Sequence, residues 1–312
     1  GSTCSRSRGR QARVGAEAAG GVEAEVLAAE DAGRALEALR LLDAIGDDNA
    51  VGTAASSRIR TTAAMVEGTL RDLERAREAA RVPGSGWAWA EWLTGAEVLY
   101  RYDRLTGDIE VIGSMVLDVE PLHLWALLRE YDLAPRWAWG AREHVPLASF
   151  ASEVEFYHLR NWSVFPPFLS ATELYQERRY VDALEELGAL LVLGTSPSIA
   201  ASEHQGVTIP PPPRGVKRVA LAARSAIMPM AGGRQSRLTV HRIMRTPFKF
   251  LPSRVVGQIT GTLSTQLASS LQRVCETWAG GEHEKRVLSG PRAAYYAKLR
   301  TRLDALAHQK AS

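Results

Sequence analysis

The sequence predicts an α+β fold in which a curved antiparallel sheet wraps around one long helix near the C-terminus. Three observations carry that expectation. Strand-like runs follow one another in the middle of the chain, while helical segments gather at its two ends. Short turn signals between strands favour antiparallel pairing. The segment Leu251–Trp278 reads as one helix, long enough at ~1.5 Å per residue to cover a concave sheet face.

The first 21 residues read as a disordered basic tail. Within residues 1–14, Arg6, Arg8, Arg10 and Arg13 come with Ser and Gly and no acid, which fits a plain disordered end or the tail of a transit peptide. Residues 22–82 read as a helical hairpin. Val22 to Ile45 places Leu36, Leu39, Leu42 and Ile45 at spacings of three, and Gly46-Asp47-Asp48-Asn49 breaks it. Thr61 to Arg81 forms the second arm, with Met65, Leu70 and Leu73 as its larger apolar residues. Such a pair is too small to fold alone and is expected to dock on the neighbouring domain.

Val82-Pro83-Gly84-Ser85-Gly86 is a linker or sharp turn, followed by Trp87, Trp89 and Trp92. Strands are expected at Ala96–Tyr102 and Ile109–Val119, joined by the turn Asp103–Asp108. In the second, Val111, Gly113, Met115 and Leu117 alternate against Ile112, Ser114, Val116 and Asp118. A short helix, Glu120–Tyr131, ends at Asp132-Leu133-Ala134-Pro135. Trp137 and Trp139 fall in the next turn or short helix, suited either to core packing or to a membrane interface. Further strands are expected at Ser152–Leu159, Ala183–Leu193, Val216–Ala223 and Arg237–Met244. Leu169–Arg179 reads as helical, Ile209–Arg214 as a stiff Pro-rich connection, and Gly232-Gly233 as a hairpin. Pro291–His308 reads as a final basic amphipathic helix.

The long helix has an unusual polar side. Val255, Val256, Ile259, Leu263, Leu267, Leu271, Val274 and Trp278 make one narrow apolar stripe. No charged residue lies between Arg254 and Arg273; Gln, Ser and Thr fill those positions, with Gly257 and Gly261 among them. A neutral helix of small residues suits a cover over a cavity mouth or membrane, or a mostly buried packing helix. Gly257 and Gly261 would mark close backbone approach.

The net charge of +3 hides a strong asymmetry. Residues 84–200 carry a net −9 and residues 201–312 a net +13. The basic third therefore needs an anionic counterpart: lipid headgroups, nucleic acid, or the acidic middle of the same chain. Arg214, Lys217, Arg218 and Arg234 are the candidates for headgroup contact. Nucleic acid is disfavoured because no aromatic residues interleave with these charges as stacking platforms. Cys4 and Cys275 offer neither a disulfide framework nor a metal cluster, which favours a reducing, cytoplasmic setting. No apolar run approaches the ~18 residues needed to span a bilayer. Phosphate-binding loops, His-x-x-x-His or Cys-x-x-Cys spacings and nucleophile motifs are absent, so no cofactor, metal or catalytic residue is expected. The sequon Asn161-Trp162-Ser163 carries little weight without a signal peptide.

The element order, together with four segments, resembles the START-like, or helix-grip, lipid-binding domains over about residues 95–278. The segments are Leu127–Leu133 followed by Trp137; Phe165-Pro166-Pro167-Phe168; the strand Ala183–Gly194; and Arg245–Pro252, which leads into the long helix. Many members have an Arg-Asp pair soon after the Pro-rich turn; here Leu169-Ser170-Ala171-Thr172 stands there. The resemblance implies a START-like domain over 87–280, a hydrophobic cavity, and a lid helix 253–278. The C-terminal helix, 290–312, lies outside that domain.

Strand parity supplies the expected lining of such a cavity: Met115 and Leu117; Val154, Phe156 and His158; Leu238, Val240 and Arg242; and Val255, Ile259, Leu263 and Leu267 from the helix. His158 also reads as an ordinary core histidine. An inward Arg242 would need a carboxylate, water or ligand headgroup. Glu153 and Glu155 are possible partners, and a bulge that turned Arg242 outward would remove the need. The expected activity is binding of a lipid or other hydrophobic molecule, extending to intermembrane transfer, with peripheral contact to anionic membrane. The alternative is a non-catalytic scaffold that uses the N-terminal helices to engage a protein. An aromatase- or cyclase-like enzyme would need an enclosed acid–base pair, and none is legible.

Overall fold

The computed structural model describes residues 24–30, 34–45, 52–89, 96–151, 153–161, 171–230, 232–245 and 252–309. The basic tail, the break at 46–49, Trp92, the Pro-rich turn 165–168 and most of the segment after Arg245 lie outside them.

Residues 24–30 (α1), Ala35–Ile45 (α2) and Thr53–Arg81 (α3) form the N-terminal helices. The first expected helix is therefore two, since Arg34 is not helical. Ala88–Trp89 (β1), Ala96–Tyr102 (β2) and Asp108–Leu117 (β3) follow, then Pro121–Arg129 (α4) and a 3-10 turn at Tyr131–Arg136. Next come Ala141–Ala151 (β4), Val154–Asn161 (β5), Thr172–Ala183 (β6), the single turn Leu184–Leu187 (α5) and Ala189–Thr195 (β7). Glu203–His204 (β8) and Val207–Thr208 (β9) form a small separate ribbon. Lys217–Arg218 (β10), Ala220–Pro229 (β11) and Ser236–Arg245 (β12) complete the strands. The chain ends in Ser253–Glu276 (α6), Glu282–Ser289 (α7) and Ala293–Gln309 (α8).

The main sheet runs β1-β2-β3-β12-β11-β7-β6-β5-β4, with every neighbour in that path antiparallel. The β3–β12 pairing brings a strand from the start of the sheet sequence together with its last strand, inside the sheet.

Three strands depart from the sequence reading. The expected helix Leu169–Arg179 is the strand β6. Its Glu, Gln, Leu and Arg residues favour helix locally, yet the strand is central and buried, and cross-strand pairing overrides that preference. Its charges find partners within the fold: Glu173 accepts from Arg218 at 2.7 and 3.0 Å, and Glu177 accepts from Arg179 at 2.9 Å and Gln205 at 2.7 Å. The expected strand Ala183–Leu193 is correspondingly two elements. β6 ends at Ala183, α5 makes the turn, and Gly188 (φ +63°) closes it before β7. β4, which had no counterpart in the sequence reading, contains Pro146 and three register shifts against β5. Both are features of an edge strand.

Register separates the sheet into two faces. Leu238, Val240 and Arg242 share one face with Met115, Gly113 and Val111 on β3 and with Ile227, Ser225 and Ala223 on β11. This inner face lies under α6: a Cβ on Gly257 would meet the Tyr100 hydroxyl at 2.4 Å, and Tyr100 pairs with Val111. Its main core joins Met115, Leu117, Val192, Leu238 and Val240 to Trp125 and Leu127 of α4, Leu271 of α6, and Tyr296, Leu299 and Leu303 of α8. The C-terminal helix is thus part of the domain's core rather than an appendage. The opposite, convex face packs Val181, Ala183, Leu191, Leu193 and Ala226 against Ala35 and Val66 of α2 and α3. The N-terminal helices and the long C-terminal helix lie on opposite sides of the sheet.

Candidate functional site: the inner face beneath α6

The C-terminal half of α6 is anchored. Trp278, just beyond it, stacks on His123 of α4 with ring centroids 4.1 Å apart, and Leu271 is buried in the main core. The N-terminal half lies over β2 and β3, where Val256, Ile259 and Thr260 are buried. Between these anchors every residue from Leu263 to Ser270 keeps some accessible surface, including Leu263 and Leu267. A helix pressed onto a solid core alternates buried and exposed positions; this stretch does not. Beneath it, the inner face is also unsealed: Tyr100, Val111, Arg242, Ala223, Met244 and Leu221 are all partly accessible, although β3, β12 and β11 are central strands.

One cross-strand row organises the polar part of this face. Reading across the sheet, it runs Tyr100, Val111, Arg242, Ala223, Gly194, Arg178 and Glu155. The pairing around Arg242 is regular, so no bulge turns it outward. Its Nε is buried and unpartnered, and burial together with the nearby Arg178 guanidinium works against its charge. Arg178 donates to the Leu128 carbonyl at 3.1 Å and lies 3.5 Å from the ring centre of Tyr131, leaving its own Nε without a partner. Gln176, on the same face, lies across Gly194: a Cβ there would meet its Nε2 at 2.6 Å, and that buried amide nitrogen is also unpartnered.

The acids proposed to neutralise Arg242 are committed elsewhere. Glu153 pairs with Arg129, whose guanidinium sits between the rings of Tyr180 and Tyr295 at 4.8 Å from each. Glu155 accepts from the Tyr157 hydroxyl at 2.5 Å and pairs with Arg292. Much of the basic C-terminal third is used in this way. Arg286 bonds Glu130 and Asp132 at 2.8–2.9 Å, and Arg302 pairs with Asp182 and Glu185. The acidic middle of the chain is therefore a main counterpart of the basic third.

Of the expected lining residues, Met115, Leu117, Leu238, Val240 and Arg242 face inward, and Ile259, Leu263 and Leu267 belong to the covering helix. Three expectations are corrected. Val154, Phe156 and His158 lie on the convex face, because they pair with Arg179, Glu177 and Tyr175, whose row positions alternate with Arg178. Phe156 packs with Tyr175 and Ile209 there, and His158 lies 3.3 Å from Glu173 as a core histidine. Val255 is 36% exposed; its neighbour Val256 turns inward instead. Arg218 is buried on Glu173 and cannot reach a membrane, whereas Arg214, Lys217 and Arg234 are exposed. Trp137 packs partly buried against the main core, and Trp139 is exposed. Sequence reasoning missed Arg178, Gln176 and Gly194, since their strand was read as helix.

Other chemistry finds little support in these residues. Burial pushes the Cys275 thiol up to about 12, away from nucleophilic use. Among the described residues no cluster of His, Cys, Asp and Glu is arranged to hold a metal, and no helix is long and apolar enough to cross a membrane.

Two solved structures place the architecture. Human StAR-related lipid transfer protein 5 superposes with a TM-score of 0.53 at 15% identity, covering 69% of this chain and 98% of that one. Human STARD10 gives a TM-score of 0.53 at 15% identity, covering 74% of this chain and 87% of that one. The chain has the START-type helix-grip fold: a large antiparallel sheet with a long C-terminal helix lying across its inner face. No protein-family model matches the sequence, and no curated protein matches it.

Proposed function

We propose that this protein binds a lipid or other hydrophobic molecule between the inner sheet face and α6, and does so without catalysing a reaction. The observation that carries the reading is the continuous partial accessibility of Leu263–Ser270 above an unsealed inner face of central strands. A ligand there would gain from burial of its apolar surface at roughly 25 cal/mol per Å². The neutral polar side of α6 lets the helix move toward or away from an apolar phase without dragging charge. One of the two architectural neighbours is by name a lipid transfer protein, which fits the same use of the fold. Exposed Arg214, Lys217 and Arg234 would supply peripheral contact with anionic headgroups during loading, and transfer between membranes results if both steps are reversible.

The test is to purify the full chain from a lipid-containing host and identify bound molecules by native mass spectrometry and extraction. Stoichiometric lipid in the native protein, lost when Leu267→Trp fills the space, is the expected result. A protein that carries no lipid and takes up none from vesicles would sink the reading. The scaffold alternative has less support: α2 and α3 are occupied in covering the convex face, through Val66 and Ala35 in the core and Asp72–Arg224 at 2.6 Å.

A further inference from the structure

We propose that the loop between β9 and β10 is a docking peptide for a small proline-recognition domain of the WW kind, whose groove is a pair of aromatic side chains beside an acidic residue. This goes beyond the lipid reading and does not rest on it. The loop carries the run Ile209-Pro210-Pro211-Pro212-Pro213-Arg214. Each proline fixes its own φ and pushes the residue before it to an extended ψ. Ile209, Pro210, Pro211 and Pro212 are each followed by proline, so the run is a polyproline II helix, rising about 3.1 Å per residue with about three residues per turn. Pro213 ends it. Its carbonyl accepts from the Val216 N–H at 3.1 Å, and Gly215 (φ +80°) supplies the third position of a type II turn with Arg214 at the corner.

Both ends of the run are clamped and its middle is offered to solvent. Ile209 is buried with Phe156 and Tyr175 on the convex face. The Pro210 carbonyl accepts from Arg218, itself held on Glu173, and the Lys217 N–H reaches the Ala171 carbonyl at 3.0 Å. All four prolines and Arg214 are exposed. The carbonyls of Pro211 and Pro212 accept no bond from the described residues. A proline groove reads these two features: pyrrolidine rings that fit between aromatic side chains, and open carbonyls that accept from an indole or phenol. The clamps have already removed much of the conformational freedom that a loose peptide loses on docking. Length then selects among such grooves. An SH3 groove takes a whole PxxP segment; here its first dipeptide would be Ile209-Pro210, and Ile209 is inside the fold. One turn, Pro211 to Pro213, is left free, which suits the single aromatic clamp of a WW domain. Arg214 and Lys217, exposed beyond that turn, match an acidic residue at the end of the groove.

The experiment titrates the unlabelled full chain into isotope-labelled WW domains selective for Pro-Pro-Arg ligands, with an SH3 domain for comparison. The resonances of the groove aromatics are followed by NMR, so the chain's own tryptophans do not interfere. Saturable shifts confined to the WW groove are expected. The double variant Pro212→Ala/Pro213→Ala should weaken binding about tenfold or more, and Arg214→Ala about threefold. Lys298→Ala, exposed on α8, should change nothing. The altered side chains lie in solvent, so circular dichroism should show every variant folded, and Arg214→Ala leaves the proline run intact as a second reading. Silence across the WW domains overturns the proposal. So does binding that survives the double proline variant yet vanishes with Arg214→Ala or added salt, since that is a charge contact of the kind an anionic surface makes. Binding to the SH3 domain alone also overturns it, because the groove would then need more of the run than the fold leaves free.

Discussion

The two faces of the sheet use charge in opposite ways. On the convex face, buried charges close into pairs. Glu173 holds Arg218 and His158, Glu177 holds Arg179 and His204, and Arg179 also donates to Thr62 of α3 at 2.5 Å. On the inner face, Glu155 at the end of the row is paired with Arg292, while Arg178 and Arg242 have no carboxylate partner among the described residues, and Gln176 offers a third unpartnered donor. A fold under selection for stability alone has no use for the second arrangement, since an unpaired buried cation only costs free energy. On the proposed reading, the convex face is structural and the inner face is the one a ligand would complete.

The sharpest way to break that comparison is to remove one charge from each side. Glu173→Ala strands Arg218 and His158, and breaking such a buried pair costs about 3–5 kcal/mol. Arg242→Leu removes a charge that burial disfavours, and should instead stabilise the ligand-free protein by roughly 1 kcal/mol. Urea unfolding of both variants gives the two signs directly. Destabilisation by Arg242→Leu of the delipidated protein would mean that the arginine is already satisfied, and the contrast would collapse.

Deleting residues 1–82 tests the convex face as a whole. It uncovers Val181, Leu191, Leu193 and Ala226, which together represent several kcal/mol of apolar burial. The truncated chain should aggregate or melt far below the full protein, as measured by light scattering and circular dichroism. A stable truncated domain would return the N-terminal helices to the status of a detachable module.

Acid should weaken the molecule mainly from the inner side and its rim. His144 faces inward from β4, pairing with Leu159, and its Nδ1 lies 3.1 Å from the Tyr131 carbonyl; burial holds its pKa down to about 4. His283 of α7, against Trp278, is likewise depressed by burial to about 4. Between about 4 and the ordinary value of 6.5 the unfolded chain binds the protons and the folded chain does not, so stability falls as pH falls through that window. From pH 7 to pH 5 the loss is roughly 2 kcal/mol for each histidine. His144→Phe should flatten part of this slope in urea titrations, while an unchanged slope would show that His144 stays solvated.

How much of this was legible in the sequence depends on how local each signal is. The position and neutrality of α6, the strands β2, β3 and β12, and the inward parity of Met115, Leu117, Leu238 and Val240 all follow from short-range pattern. Which parity faces inward on β5 does not. Both sides of that strand are buried, Val154 and Phe156 on one and Glu155 and Tyr157 on the other, so alternation carries no direction. The charged strand β6 was hidden for a related reason: the partners that allow Glu173, Glu177 and Asp182 to be buried come from β10, the β8–β9 ribbon and α8. Arg178 and Gln176 went unseen with it. The part of the site that gives it chemistry therefore lay in the segment whose local preference tertiary structure overrides.

The smallest predicted effect tests the roof of the inner face. Gly257 lies in the interior of α6, where replacing Gly by Ala normally gains about 1 kcal/mol of helix propensity. Here a new Cβ would meet the Tyr100 hydroxyl oxygen at 2.4 Å and its ring carbon at 3.0 Å. Either Tyr100 swings aside or the helix lifts from β2. Gly257→Ala should therefore show no gain, and a net loss of about 0.5–1 kcal/mol. The double variant with Tyr100→Ala should recover the propensity gain, giving a coupling of about 1 kcal/mol in a double-mutant cycle. Additive effects would mean that α6 rides above Tyr100 with room to spare, and that the helix already rests as a loose cover rather than a close one.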